Sequence, residues 1–148
     1  MSVTVAIGDP AEAADLLNAS HALMRSLFPS ESNHYLQVEA LAAPNIRFLI
    51  ARDGGAPLGC GALALKDGYG ELKSMFVAPE ARGKGIAEAL MVHLETIAHD
   101  EGVKVLRLET GSLLHAAHRL YERRGFTRRG PFGDYRDDPL SVFMEKPL

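Results

Sequence analysis

An α/β fold with one mixed sheet and helices on both faces is what this sequence predicts, on three observations. Apolar runs of strand length alternate with segments of helical periodicity from the first residues to the last. A strand-like run, Glu71 to Val77, passes through a glycine-bearing turn into a helix whose Ile86, Leu90, Leu94 and Ile97 recur on one face. The chain has 148 residues, 47% of them hydrophobic, which is enough for one domain over 1–148 with its own core.

The elements follow in order. A strand is expected at 2–8, and then a helix at about 10–26 with Pro10 near its start, where proline's fixed φ suits helix entry. Leu27-Phe28-Pro29-Ser30 breaks that helix, and a second is expected near 31–42, stopping before Pro44. Ile46 to Ala51 reads as a strand that Asp53-Gly54-Gly55 turns into another from Pro57 to Leu65. Lys66-Asp67-Gly68 turns again into Glu71–Val77. After the Ile86 helix come an alternating strand from Val103 to Thr110 and a helix ending at Leu120-Tyr121-Glu122-Arg123-Arg124-Gly125-Phe126. Closing strands follow, the last around Phe143 to Lys146.

Composition narrows the function classes. The run Met1-Ser2-Val3-Thr4-Val5 lacks the charged-then-apolar pattern of a signal peptide, and no stretch is apolar enough to cross a bilayer. A single cysteine allows no internal disulfide, so a cytoplasmic location is the simplest expectation. The net charge of −3 argues against a nucleic-acid partner, although Arg119, Arg123, Arg124, Arg128 and Arg129 cluster. No metal is expected. His115 and His118 lie three apart without a third ligand at diagnostic spacing, and H-E-x-x-H is absent. Cys60 reads as a small buried hydrophobe, so no acyl-cysteine step is expected.

The turn Arg82-Gly83-Lys84-Gly85-Ile86-Ala87 is the most informative stretch. It places two glycines at a helix N-terminus, where free N–H groups and the macrodipole suit a phosphate. A dinucleotide-binding G-x-G-x-x-G fails because Glu88 stands at its last position, and a Walker loop fails because Lys84 is followed by Gly85. The turn resembles the R/Q-x-x-G-x-G/A signature of the GNAT superfamily of acetyl-CoA-dependent N-acetyltransferases. The later run, with Ala117 at its first position and Leu120-Tyr121-Glu122 followed by Gly125-Phe126, resembles that superfamily's A-x-x-L-Y-E-x-x-G-F segment. The resemblance covers nearly the whole chain. Shorter runs, Pro29 to His34, Gly59 to Leu63, Glu71 to Met75, Leu108 to Gly111 and Asp138 to Met144, look like a bacterial subgroup.

The resemblance implies a mostly antiparallel central sheet, acetyl-CoA as co-substrate, and direct acyl transfer to a primary amine of a small molecule or peptide. It implies that backbone groups of Met75, Phe76 and Val77 pair with the pantetheine arm like an added strand, while Arg82 to Ala87 hold the pyrophosphate. Tyr121 matches a tyrosine beside the cofactor sulfur that protonates the leaving thiolate. Glu71 lies eleven residues before Arg82, the spacing of the glutamate base in some histone-acetylating members, and simple alternation puts Glu71, Lys73, Met75 and Val77 on one face. Glu109, at the end of the next strand, is the alternative base. Relatives often carry asparagine seven residues before the tyrosine; here that position is Leu114, with His115 adjacent. The family architecture puts Phe28 to Tyr35 and Pro131 to Asp138 around the acceptor entrance, which makes Glu31, His34, Asp134 and Tyr135 candidate acceptor contacts. A homodimer through late strands also fits the resemblance. The rival reading is a non-catalytic module of the same fold that senses acyl-CoA.

Overall fold

The computed structural model describes residues 2–148, so Met1 lies outside the described residues. Seven strands form one sheet in the order β1-β2-β3-β4-β5-β7-β6. They are β1 (Val3–Ile7), β2 (Ile46–Asp53), β3 (Ala56–Lys66), β4 (Tyr69–Val77), β5 (Val105–Gly111), β6 (Thr127–Arg129) and β7 (Ser141–Pro147). Only the β4–β5 pair is parallel. Antiparallel neighbours need no more than a hairpin, which Gly54 and Gly68 supply at positive φ, whereas the parallel pair needs a crossover. Helix α2 (Ile86–Asp100) is that crossover.

Packing follows from the helix stripes. Ile86, Leu90, Met91 and Leu94 of α2 are buried on the face of the sheet that carries Gly59 and Gly61, whose missing β-carbons let Leu90 and Leu94 come close. Leu63, Leu106, Leu108 and Met144 are also fully buried, each such side chain worth about 2 kcal/mol of burial. Helix α1 (Ala14–Leu27) lies across the other face against β3 and β4. Helix α3 (His115–Arg123) follows β5 and is tied to α2 and β7 by Glu95, which accepts from Arg124 Nε and Nη2 at 3.0 and 2.6 Å and from Lys146 Nζ. Among the described residues no helix is long and apolar enough to cross a membrane.

Three expectations change. The segment 31–42 is not a helix but two short 3₁₀ turns, Ser30–Ser32 and Glu39–Ala42, joined by extended chain. Its small polar residues bond elsewhere: Ser32 Oγ donates to Asp138 Oδ2 at 2.6 Å and Asn33 Nδ2 to the Phe28 carbonyl at 3.3 Å. Such bonds compete with a helical ladder. The helix expected at 10–26 opens as a 3₁₀ turn, Pro10–Ala13, capped by Asp9 and Glu12, before α1 begins.

The third change lies on β4. Ala62 pairs with Lys73 and Cys60 with Phe76, so Ser74 and Met75 together oppose Gly61 in a β-bulge. Ser74 takes φ 58°, the left-handed region. Lys73 thus shares a face with Ala62 while Val77 shares one with Gly59, on the other side of β3. Met75 goes with Val77, its sulfur lying over Gly61. Glu71 and Lys73 therefore face away from Met75 and Val77, and the single-face alternation is wrong because the bulge inserts a residue.

Candidate active site

Strands β4 and β5 pair only from Gly70↔Leu106 to Leu72↔Leu108 and then part. The bulge turns β4 aside, and beyond it the edges of both strands face a cleft. Lys73, Ser74 and Met75 form one wall, and Glu109, Thr110 and Gly111 the other. Tyr121 and Leu114 close one side of the cleft, and Met24 and Phe28 of the α1 end close another. The Phe28 ring occupies the place where a side chain at Gly111 would stand, so this glycine lets the aromatic seal the sheet edge.

At the end of β4 the chain makes a 3₁₀ turn, Pro79–Ala81, and then the glycine turn. Gly83 and Gly85 adopt φ 78° and 77°, and no atom comes within 4 Å of where a β-carbon would sit on either. Helix α2 has no side-chain cap, and among the described residues no hydrogen bond uses the N–H groups of Gly83 to Glu88. Open backbone donors at the positive end of a 15-residue helix fit a pyrophosphate. Arg82 Nε donates to the Val77 carbonyl at 3.2 Å and its guanidinium lies 5.6 Å from the Phe76 ring centre, bracing the end of β4. Ile86 is core and offers only main chain, Ala87 is half-buried, and Lys84 is exposed.

The titratable side chains fall into two groups. Glu71 is buried, and its carboxylate accepts from Tyr135 Oη and, at 3.3 Å, from Lys73 Nζ; Lys73 also donates to Tyr135 Oη at 2.8 Å. These bonds pin the loop carrying Tyr135 to the sheet. Burial first, and then the charge of Glu71, hold the Tyr135 hydroxyl far above its ordinary pKa. Glu109 instead lines the cleft. Burial raises its pKa above the ordinary carboxylate value, while a hydrogen bond from Ser141 Oγ at 2.8 Å and the charges of His34 and Lys73 pull it partly back. Tyr121 is 6% exposed, and burial followed by the Glu109 charge keeps its hydroxyl protonated well above its ordinary pKa.

The expected residues are thus partly brought together. Tyr121, Glu109, Met75 and His34 meet in the cleft, whereas Glu71 stands behind it, engaged with Lys73 and Tyr135. Glu31, His34 and Asp134 border a second hollow at the mouth, with Arg136 and Asp138. His34 links the two hollows and packs edge-on against Tyr135 at 5.2 Å. Lys73 and Ser74 also line the cleft, although sequence reasoning did not single them out; Lys73 had a signal, two residues from Glu71 on one strand face, and Ser74 had none. Of the two histidines on α3, His118 is buried and its Nε2 lies 2.8 Å from the Gly111 carbonyl, which ties α3 to the end of β5. Burial pushes the Cys60 thiol up to about 12, so it stays protonated near neutrality.

Comparison with known proteins agrees with this geometry. Residues 13–126 match the model of the acetyltransferase (GNAT) family. The chain belongs to the GNAT family. An IAA acetyltransferase from Azospirillum brasilense is 46% identical to this GNAT protein over 99% of both chains. The structure of a protein classed as an acyl-CoA N-acyltransferase, from Klebsiella pneumoniae, superposes with a TM-score of 0.84 at 38% identity, covering 99% of this chain and 97% of that one. An N-acetyltransferase from Thermoplasma acidophilum, solved in complex with coenzyme A, shares the fold at 18% identity with a TM-score of 0.78 over the full length of both chains. The seven-stranded, mostly antiparallel sheet is the GNAT fold, and the protein is an acyltransferase.

Proposed function

We propose that this GNAT protein transfers acetyl from acetyl-CoA to a primary amine of a small molecule or peptide by direct attack in a ternary complex. The observation that carries the reading is the edge of β4 left unpaired where it parts from β5. Along β4 the parts stand in order: the strand edge that leaves β5 borders the cleft with Glu109 and Tyr121, and the chain that continues from its end carries the open donors of Gly83 to Glu88.

Each part then has a task. The N–H groups after Gly83 and Gly85 hold the pyrophosphate, and the main chain of Met75 to Val77, paired with β3 but not with β5, receives the pantetheine arm on its β5 side as an added strand and polarises the thioester carbonyl. Glu109 serves as the base. An acceptor ammonium has a pKa of about 10, and a carboxylate raised by burial takes its proton more readily than an ordinary one. The amine lone pair attacks the thioester carbon, the carbon–sulfur bond breaks with Tyr121 hydrogen-bonding the departing sulfur, and the second proton the nitrogen sheds ends on that thiolate. A phenol raised above its ordinary pKa is a weak acid toward a thiol of pKa about 8.5, so Tyr121 contributes chiefly a hydrogen bond. Glu71 acts on the acceptor side by holding Tyr135, and Glu31, His34 and Asp134 face the incoming amine. The glutamate base thus passes from Glu71 to Glu109 in this reading, because Glu71 is engaged behind the cleft and Glu109 lines it.

Calorimetric titration with acetyl-CoA, with NADH and ATP as controls, tests the reading. Saturable binding of acetyl-CoA alone, followed by thiol release in the presence of primary amines, is expected. Absence of acetyl-CoA binding overturns it.

A further inference from the structure

At Ser74 the fold holds a side chain that it does not use. The first residue of this bulge sits at φ 58°, where glycine is free and any β-carbon is strained. Among the described residues, the Ser74 hydroxyl is the buried side-chain polar atom without a hydrogen-bond partner. Serine here therefore carries two costs, a strained backbone and an unpaired hydroxyl. Glycine would remove both and alanine the second. Cys60 Sγ donates to its main-chain carbonyl at 3.3 Å, a bond that needs no particular side chain at this position.

Its position supplies what the packing does not. Ser74 stands on the cleft wall just past the point where β4 leaves β5, across from Glu109 and Tyr121. Beside it, the Lys73 ammonium spends two of its three N–H donors on Tyr135 Oη and Glu71 Oε2, leaving one. Met24, Phe28 and Leu114 make another part of the same cleft apolar. A ligand that satisfies this surface has an apolar body, an amine near Glu109 and an oxygen near Ser74.

We propose that Ser74 is a specificity-determining residue of the acceptor site, its hydroxyl bonding a carboxylate or hydroxyl oxygen of the acceptor and, with Lys73, selecting amines that carry one over bare alkylamines. The inference rests on the acetyl-transfer reading above. It makes the cost of Ser74 in the free protein the counterpart of a bond formed when the cleft is filled.

Three amines on one skeleton test it: L-leucine, L-leucinol and 3-methylbutylamine, each assayed with acetyl-CoA by thiol release. Wild type should use the two oxygen-bearing amines with the higher kcat/KM, and whichever of them is preferred separates carboxylate from hydroxyl recognition. Ser74→Ala should lower kcat/KM for these by about tenfold and leave 3-methylbutylamine unchanged. The Tm of Ser74→Ala and of Ser74→Gly without ligand should equal or exceed that of wild type. Selectivity unchanged by Ser74→Ala, a fall in Tm for both variants, or a wild type that binds acetyl-CoA but uses neither oxygen-bearing amine would each overturn the role of Ser74. Failure of wild type to bind acetyl-CoA would overturn instead the reading beneath it.

Discussion

The two parts of the candidate site, the turn after β4 and the cleft beside it, are built from different materials. In the first, Gly83 to Glu88 present backbone N–H groups, and side chains matter there mainly by staying away. In the second, Lys73, Ser74, Glu109, His34 and Tyr135 come from strands and irregular segments, with Lys73 bonded to Tyr135 and His34 packed on its ring. A main-chain site depends on a few dihedral angles and fails abruptly when one is forbidden. A side-chain site degrades one contact at a time.

Gly85→Glu is the hardest blow to the first kind. It forces a β-carbon onto φ 77° and adds a negative charge where the pyrophosphate belongs, so acetyl-CoA affinity should fall by more than about a hundredfold in titration, with the circular dichroism of the fold retained. Binding within a fewfold of wild type would show that the turn is not the phosphate site.

Glu109→Gln attacks the second kind at its most sensitive point. Loss of a positioned base should lower kcat/KM by about a hundredfold or more and remove the rise in rate with pH that wild type shows as Glu109 loses its proton, above the ordinary carboxylate range. Stability gives an independent sign. Because the folded-state pKa is raised, Glu109 contributes stability below its unfolded pKa and loses it as pH rises through the folded value. The Tm advantage of Glu109→Gln over wild type should therefore grow as pH rises above the ordinary carboxylate range. A constant or shrinking difference would remove burial as the cause of the shift.

The same contrast explains what the sequence discloses. The glycine turn and the Tyr121 segment are contiguous, so their placement, at the start of α2 and beside the cleft, is legible from local spacing. The fold is legible for a related reason, since strand alternation and the α2 stripe are local patterns. The partition between Glu71 and Glu109 is not, because it turns on the bulge at Ser74, on the bond from Ser141 and on Tyr135 reaching across 64 residues to Glu71. The expected helix at 31–42 misleads for the same reason: Ser32 is claimed by Asp138, 106 residues away. Nothing within a window of either residue carries that information.

Tyr121→Phe tests where the two kinds of site meet. The ring stays, 5.8 Å from that of Phe126, and only the hydroxyl is lost. With the proton held well above the ordinary phenol range, kcat should fall by about tenfold while acetyl-CoA affinity stays put. A thousandfold loss would mean that full proton transfer by Tyr121 limits the reaction.

The smallest effect is the most diagnostic of how the acceptor side is held. Tyr135→Phe keeps the ring against His34 and Phe132 but removes the hydroxyl that bonds Glu71 and receives Lys73. Acceptor KM should rise by severalfold with kcat nearly unchanged, because the loop loses its anchor while Glu109 and Tyr121 remain in place. Glu71→Gln should do the same, and the double variant should be little worse than either single one, since both break one contact. If Glu71 were the base instead, Glu71→Gln would fall mainly in kcat and flatten the pH profile, and its effect would add to that of Tyr135→Phe. The cycle thus separates a carboxylate that holds a loop from one that moves a proton.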